Sequence, residues 1–178
     1  MKQVVPVSSH FVWDRFVRFF HWSLVSCVVL NYFVINDGKF FHQCVGFLAI
    51  ALVLSRIVWG FIGSGHARFS DFFPTPSRVI THVRRMAAGN HDTSLGHNPV
   101  AAIMMLAMMA VVITLGVTGW MQTLDAFWGE DWVQNLHSYA GNLLIGMATL
   151  HALAAIIMGR IERTRFIKAM FTGVKERW

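Results

Sequence analysis

The chain has 178 residues, of which 55% are hydrophobic and only 13% charged, and its mean hydropathy is positive. A soluble domain is closer to a quarter charged, so lipid rather than water solvates most of this one. The net charge of +6 does not mark a nucleic-acid binder, because the basic residues fall between apolar runs instead of forming a patch on a polar domain.

The chain opens with a polar arm that carries Asp14, Arg15 and Arg18. No small-residue cleavage site follows, so the first apolar run reads as a retained anchor. Four runs are long enough to cross about 30 Å of hydrocarbon as helix. They extend approximately from Phe19 to Ile35, His42 to Ile62, Pro99 to Met121 and His137 to Gly159. Asn36-Asp37-Gly38-Lys39 predicts a tight turn that makes the first two spans an antiparallel hairpin. The segment from about Gly63 to Asn98 is too polar to span and is broken by Pro74 and Pro76, which suggests a short ordered cap. Pro99 suits the first turn of the third helix, where its missing N–H costs little. Trp13 and Trp22 flank the first span, and Trp128 and Trp132 fall in the loop before the fourth, as interfacial belts would. The tail, residues 161–178, mixes basic residues with Ile161, Phe166, Ile167, Met170 and Phe171, a spacing that predicts an amphipathic helix on an anionic membrane surface. The expected fold class is therefore all-α: one transmembrane domain over residues 1–178, built as a four-helix bundle.

Orientation follows from charge. Thirteen basic residues lie in the N-terminal arm, the central segment and the tail, whereas the opposite loops hold Lys39 alone beside Asp37, Asp125, Glu130 and Asp131. The positive-inside rule places both termini in the cytoplasm. Cys27 and Cys44 fall within apolar runs as packing residues, and the lack of a Cys-x-x-Cys-His motif excludes covalent c-type haem.

Nine histidines are present, and four of them, His21, His42, His137 and His151, lie within or at the ends of spans, where an ionisable residue is costly and points to function. His137 and His151 are fourteen residues apart. On a helix that spacing returns to nearly the same face, about 21 Å further along. His42 can meet His137 on the outer side, and His21 can meet His151 on the inner side. Two axial pairs at two depths are what two stacked bis-histidine haems require. Gly46 and Gly141 each follow a histidine of the outer pair by one turn, where a flat macrocycle needs close approach to the backbone; helix–helix packing also uses small residues. Arg56 lies fourteen residues after His42, at the level of the inner pair. A haem propionate would serve it as partner, and snorkelling to the interface is the rival account. His10, His66, His82, His91 and His97 read as solvated, with His66 and His97 closest to a membrane boundary.

On these residues the sequence resembles the bacterial cytochrome b561 and nickel–iron hydrogenase cytochrome b-subunit family. The marks are Arg18-Phe19-Phe20-His21-Trp22, His42 with Gly46, Arg56-Ile57-Val58-Trp59-Gly60-Phe61-Ile62-Gly63 followed by Ala67-Arg68-Phe69, and Leu136-His137 through Leu150-His151. The resemblance implies two haem b groups held by the four histidines, in an inner-membrane protein that exchanges electrons between the quinone pool and a partner. That partner is expected to be a periplasmic cytochrome c or redox enzyme, drawn to the acidic outer loops. A stand-alone superoxide:quinone oxidoreductase is the alternative, although it calls for a positive funnel that Lys39 alone does not supply. A haem-free membrane anchor is a third reading. No Gly-rich phosphate loop or hydrolytic cluster is present.

Overall fold

The structure is a computed structural model and describes residues 9–35, 40–89 and 96–177. Strand β1 (Ser9–Phe11) leads into α1 (Arg15–Val29), which continues as a π turn over Leu30–Val34. The helices α2 (Phe40–Ile62), α3 (Phe69–Phe72), α4 (Pro76–Ala87), α5 (Pro99–Met121), α6 (Asp131–Ile161) and α7 (Phe166–Thr172) follow, and β2 (Val174–Glu176) comes last. Four of these elements are long and apolar enough to cross a membrane: Arg15–Val34, Phe40–Ile62, Pro99–Met121 and Asp131–Ile161. Between 6% and 22% of each span is buried within the protein, so most of their apolar surface is left for lipid. The predicted Asn36–Lys39 turn lies outside the described residues.

The helix starts are specified locally. Asp14 Oδ1 accepts from the Val17 N–H at 2.8 Å and caps α1. Asn98 Oδ1 does the same for the Ala101 N–H at 2.8 Å, with Pro99 at the first helical position of α5, where the ring lacks only an N–H that has no partner anyway. Asp131 opens α6 and Arg160 closes it, charges that oppose the ends of the helix dipole. The fourth helix therefore begins six residues before the expected His137, and Trp132 lies on it rather than in the preceding loop.

Two compact units divide the chain. Of the described residues, the first contains 9–18, 59–89, 96–104 and 150–177. In it β1 and β2 pair antiparallel, with Ser9 opposite Glu176, His10 opposite Lys175 and Phe11 opposite Val174. This corrects the expectation of a continuous amphipathic helix over 161–178. Gly173 takes φ +84° and ends α7, and its carbonyl accepts from the N–H groups of Val12 at 2.8 Å and Trp13 at 3.1 Å. An added Cβ at Gly173 would lie 2.7 Å from the Trp13 carbonyl, so glycine is required there on two counts. Asp14 Oδ2 accepts from Trp59 Nε1 at 2.9 Å and from the Ser64 hydroxyl at 3.3 Å. Arg18 donates to the Phe171 carbonyl, and Phe69 lies against Gly60 so closely that any side chain there would collide with its ring.

The second unit contains residues 19–58 and 105–149, and all four spans contribute to it. The Tyr32 hydroxyl donates to Asn142 Oδ1 at 2.7 Å, joining the π turn to α6. Asn31 donates to the His42 carbonyl at 3.1 Å, joining the same turn to α2. Gly116 admits Ile50 directly against its backbone and brings α2 to α5. Phe20, Val53, Met109, Val112, Val133 and Leu144 are buried.

Candidate functional site

Within the second unit, His42 near the start of α2 and His137 in α6 face one another with ring centroids 6.1 Å apart and planes inclined at 59°. His42 Nδ1 lies 2.7 Å from the Ile35 carbonyl, which can only accept, so the proton resides on Nδ1. The Ile35 carbonyl is placed there by the π turn, whose i→i+5 bond from the Ile35 N–H to the Leu30 carbonyl is 2.7 Å long. His137 Nδ1 lies 2.9 Å from Thr118 Oγ1. The Thr118 hydroxyl donates to the Thr114 carbonyl at 2.7 Å, which leaves its oxygen to accept and puts the His137 proton on Nδ1 as well. In the neutral tautomer that these contacts favour, each ring would offer Nε2 to a metal.

The spacing fits a shared metal. Two metal–imidazole bonds of about 2.0–2.1 Å, plus roughly 1.1 Å from each nitrogen to its ring centre, would set the centroids about 6.3 Å apart. Among the described residues no three or more His, Cys, Asp or Glu side chains converge as a metal site. Two nitrogens alone would underligate an iron ion, and a porphyrin would supply the other four donors. Two glycines near the pair leave their helix backbones uncrowded. A Cβ added at Gly141 would meet only Leu115, at 4.0 Å, and one at Gly46 only the Asn31 amide, at 3.6 Å. At Gly119 it would come within 3.2 Å of the His137 ring, so this glycine of α5 makes space for the imidazole itself.

The other expected site residues are placed as follows. His21 belongs to the second unit, its ring edge-on to Trp22 at 5.0 Å. His151 belongs to the first unit and is half-buried on α6. Arg56 is in the second unit and only 1% exposed, the largest fully buried side chain described. In the first unit, His97 packs against Trp13 at 4.6 Å and Phe72 at 4.8 Å, and His66 pairs with Asp71 at 2.8 Å. Both histidines near the membrane boundary therefore have defined neighbours. Sequence reasoning passed over Thr118 and the Ile35 carbonyl. A hydroxyl inside span three was a visible signal for the first; nothing in the residue types marks the second.

Four helices long and apolar enough to cross a membrane thus bring two histidine rings together in one unit, the arrangement of a membrane protein. The sequence model of the prokaryotic cytochrome b561 family matches residues 12–173, and the chain belongs to that family. Its members are membrane b-type cytochromes of electron transfer. A probable Ni/Fe-hydrogenase B-type cytochrome subunit of Bradyrhizobium diazoefficiens is 21% identical, over 98% of this chain and 89% of that protein. A probable Ni/Fe-hydrogenase 1 B-type cytochrome subunit of Escherichia coli K12 is 24% identical, over 64% of this chain and 60% of its own length. A similarly named subunit of Azotobacter vinelandii is 22% identical, over 78% and 69% respectively. No solved structure matches the chain.

Proposed function

We propose that this chain is a di-haem b cytochrome that passes electrons between the quinone pool and a redox partner on the outer side of a bacterial inner membrane. The observation that carries the reading is the His42–His137 pair. Its rings are spaced for one iron, and each Nδ1 is engaged by a separate acceptor. In this reading His42 and His137 hold one haem, with Gly46 and Gly141 giving the macrocycle access to the helix backbones. A second haem rests on sequence alone: His151 follows His137 by fourteen residues on the same helix face, and His21 lies at the start of the first span. Arg56, buried in a span, is in this reading a donor to a propionate, whose carboxylate a guanidinium can bind in a bidentate manner.

When bound, haem supplies a one-electron ferric–ferrous couple whose potential is tuned by ligands, burial and hydrogen bonding. The chain's own residues do the rest. The Ile35 carbonyl and Thr118 hold the two imidazoles in one tautomer. The apolar spans leave lipid-facing sides through which a quinone can approach. With the termini cytoplasmic, the exposed Asp125, Glu130 and Asp131 lie outside, beside a Trp128 that is 78% exposed. An acidic rim around an exposed aromatic attracts a basic partner surface. The curated relatives are named as hydrogenase subunits, which favours a redox enzyme in that place.

The test is a reduced-minus-oxidised spectrum of detergent-purified protein with pyridine haemochrome quantitation. Two b haems per chain are expected, with one lost in His42→Ala and in His137→Ala and the other retained. A well-folded protein without haem would overturn the reading in favour of an anchor.

A further inference from the structure

The two hydrogen bonds that hold the His42–His137 pair differ in kind. His42 donates to a backbone carbonyl, an acceptor that no side-chain substitution removes. His137 donates to Thr118 Oγ1, and that hydroxyl is itself committed. It donates at 2.7 Å to the Thr114 carbonyl, with a longer contact of 3.2 Å to the Leu115 carbonyl, and Thr118 is only 2% exposed. An oxygen whose proton is already donated is a stronger acceptor, because successive hydrogen bonds polarise one another. The chain runs Thr114 carbonyl, Thr118 hydroxyl, His137 Nδ1–H, and leaves Nε2 as the electron-rich end. Gly119, the next residue on α5, gives the ring the clearance to reach the hydroxyl, since an added Cβ would stand 3.2 Å from His137 Cε1.

We propose that Thr118 is a positioning residue that lowers the reduction potential of the haem held by His42 and His137, by drawing the His137 Nδ1 proton toward its oxygen. This rests on the haem reading above. Withdrawal of the Nδ1 proton raises the basicity of the ligating nitrogen, and a more basic axial ligand favours ferric over ferrous iron. Thr118 touches no reacting atom; it acts through His137.

Thr118→Val exchanges the hydroxyl for a methyl of similar size. The test is a spectroelectrochemical titration of the purified holoprotein, following the haem that disappears in His137→Ala. The ferric-to-ferrous ratio of that haem at a fixed ambient potential should fall about fivefold to tenfold in Thr118→Val. Tenfold corresponds to about 59 mV for one electron. The second haem should not move, and Thr118→Ser should return the first to its original ratio. Full haem content with an unchanged ratio in Thr118→Val would overturn the inference and leave the haem reading standing. Loss of that haem in Thr118→Val would also overturn it, because the hydroxyl would then serve assembly rather than potential. Retention of both haems in His42→Ala and His137→Ala would instead overturn the reading beneath it.

Discussion

Gly141 distinguishes a cytochrome from a bundle held by helix packing alone. A Cβ added there meets nothing nearer than Leu115 Cδ2 at 4.0 Å, an ordinary van der Waals contact. Without a bound group, Gly141→Ala should stabilise α6 by about 0.4–1 kcal/mol, because alanine has less unfolded-chain freedom to lose. Gly141→Leu should also be tolerated without a bound group, since its Cβ, one turn from His137, makes only that ordinary contact. If a macrocycle occupies that space, the same leucine overpacks the site at a cost of about 1–3 kcal/mol. At 1.4 kcal/mol per decade this weakens haem retention roughly fivefold to a hundredfold. The assay compares haem per chain by pyridine haemochrome with the thermal midpoint of protein produced under haem limitation. The expected result is a Gly141→Leu protein that is as stable as wild type when haem-depleted and poor in the His137-dependent haem when haem is plentiful. Full occupancy in Gly141→Leu, with the spectrum of that haem unchanged, would refute the placement of the macrocycle beside Gly141.

Two further outcomes follow from close contacts elsewhere. Gly116→Ala should lower the thermal midpoint through about 1–2 kcal/mol of overpacking, because the new methyl collides with the end of the Ile50 side chain. An unchanged midpoint would contradict the tight α2–α5 approach. At the other end of the chain, the hydrogen bond from Lys168, at 2.9–3.0 Å, holds the Glu176 carboxyl below the ordinary glutamate range, with added attraction from Lys168 and Arg165. The folded value is depressed, so the stability this contact contributes to the β1–β2 pair is complete above the ordinary value of about 4.3. It is lost as the pH falls through the lower folded one. Hydrogen exchange at the strand amides should accelerate over that acid window, and Lys168→Met should remove the acid-dependent part.

The spans were legible because lipid-facing helices must be apolar on nearly every side, so run length alone identifies them. The fourth was read short at its start because Asp131 to Leu136 is polar enough to pass for a loop, although Asp131 in a first turn is itself a helix-start signal. The meeting of His42 with His137 was readable from span ends, since a ligand at the top of one helix can reach only residues of similar depth. Thr118 was harder to see. Hydroxyls are common in membrane helices, where they bond to the preceding turn, and Thr118 does so as well as accepting from His137. The π turn has no compositional mark, yet it decides where the Ile35 carbonyl points. The strand pair escaped because three-residue strands are too short to show alternation, and Gly173, a helix stop in plain view, was absorbed into the amphipathic pattern of the tail.

The β1–β2 ladder also sets an order of events. Ser9–Phe11 emerges from the ribosome about 160 residues ahead of Val174–Glu176, and at about 5–20 residues per second the wait is roughly ten to thirty seconds. During that interval the four spans can enter the bilayer and the histidine-bearing segments of the second unit can meet, because all of them are made before β2. The strand pair of the first unit closes after them. A group bound at His42 and His137 would therefore have a window for capture before β1 and β2 are joined.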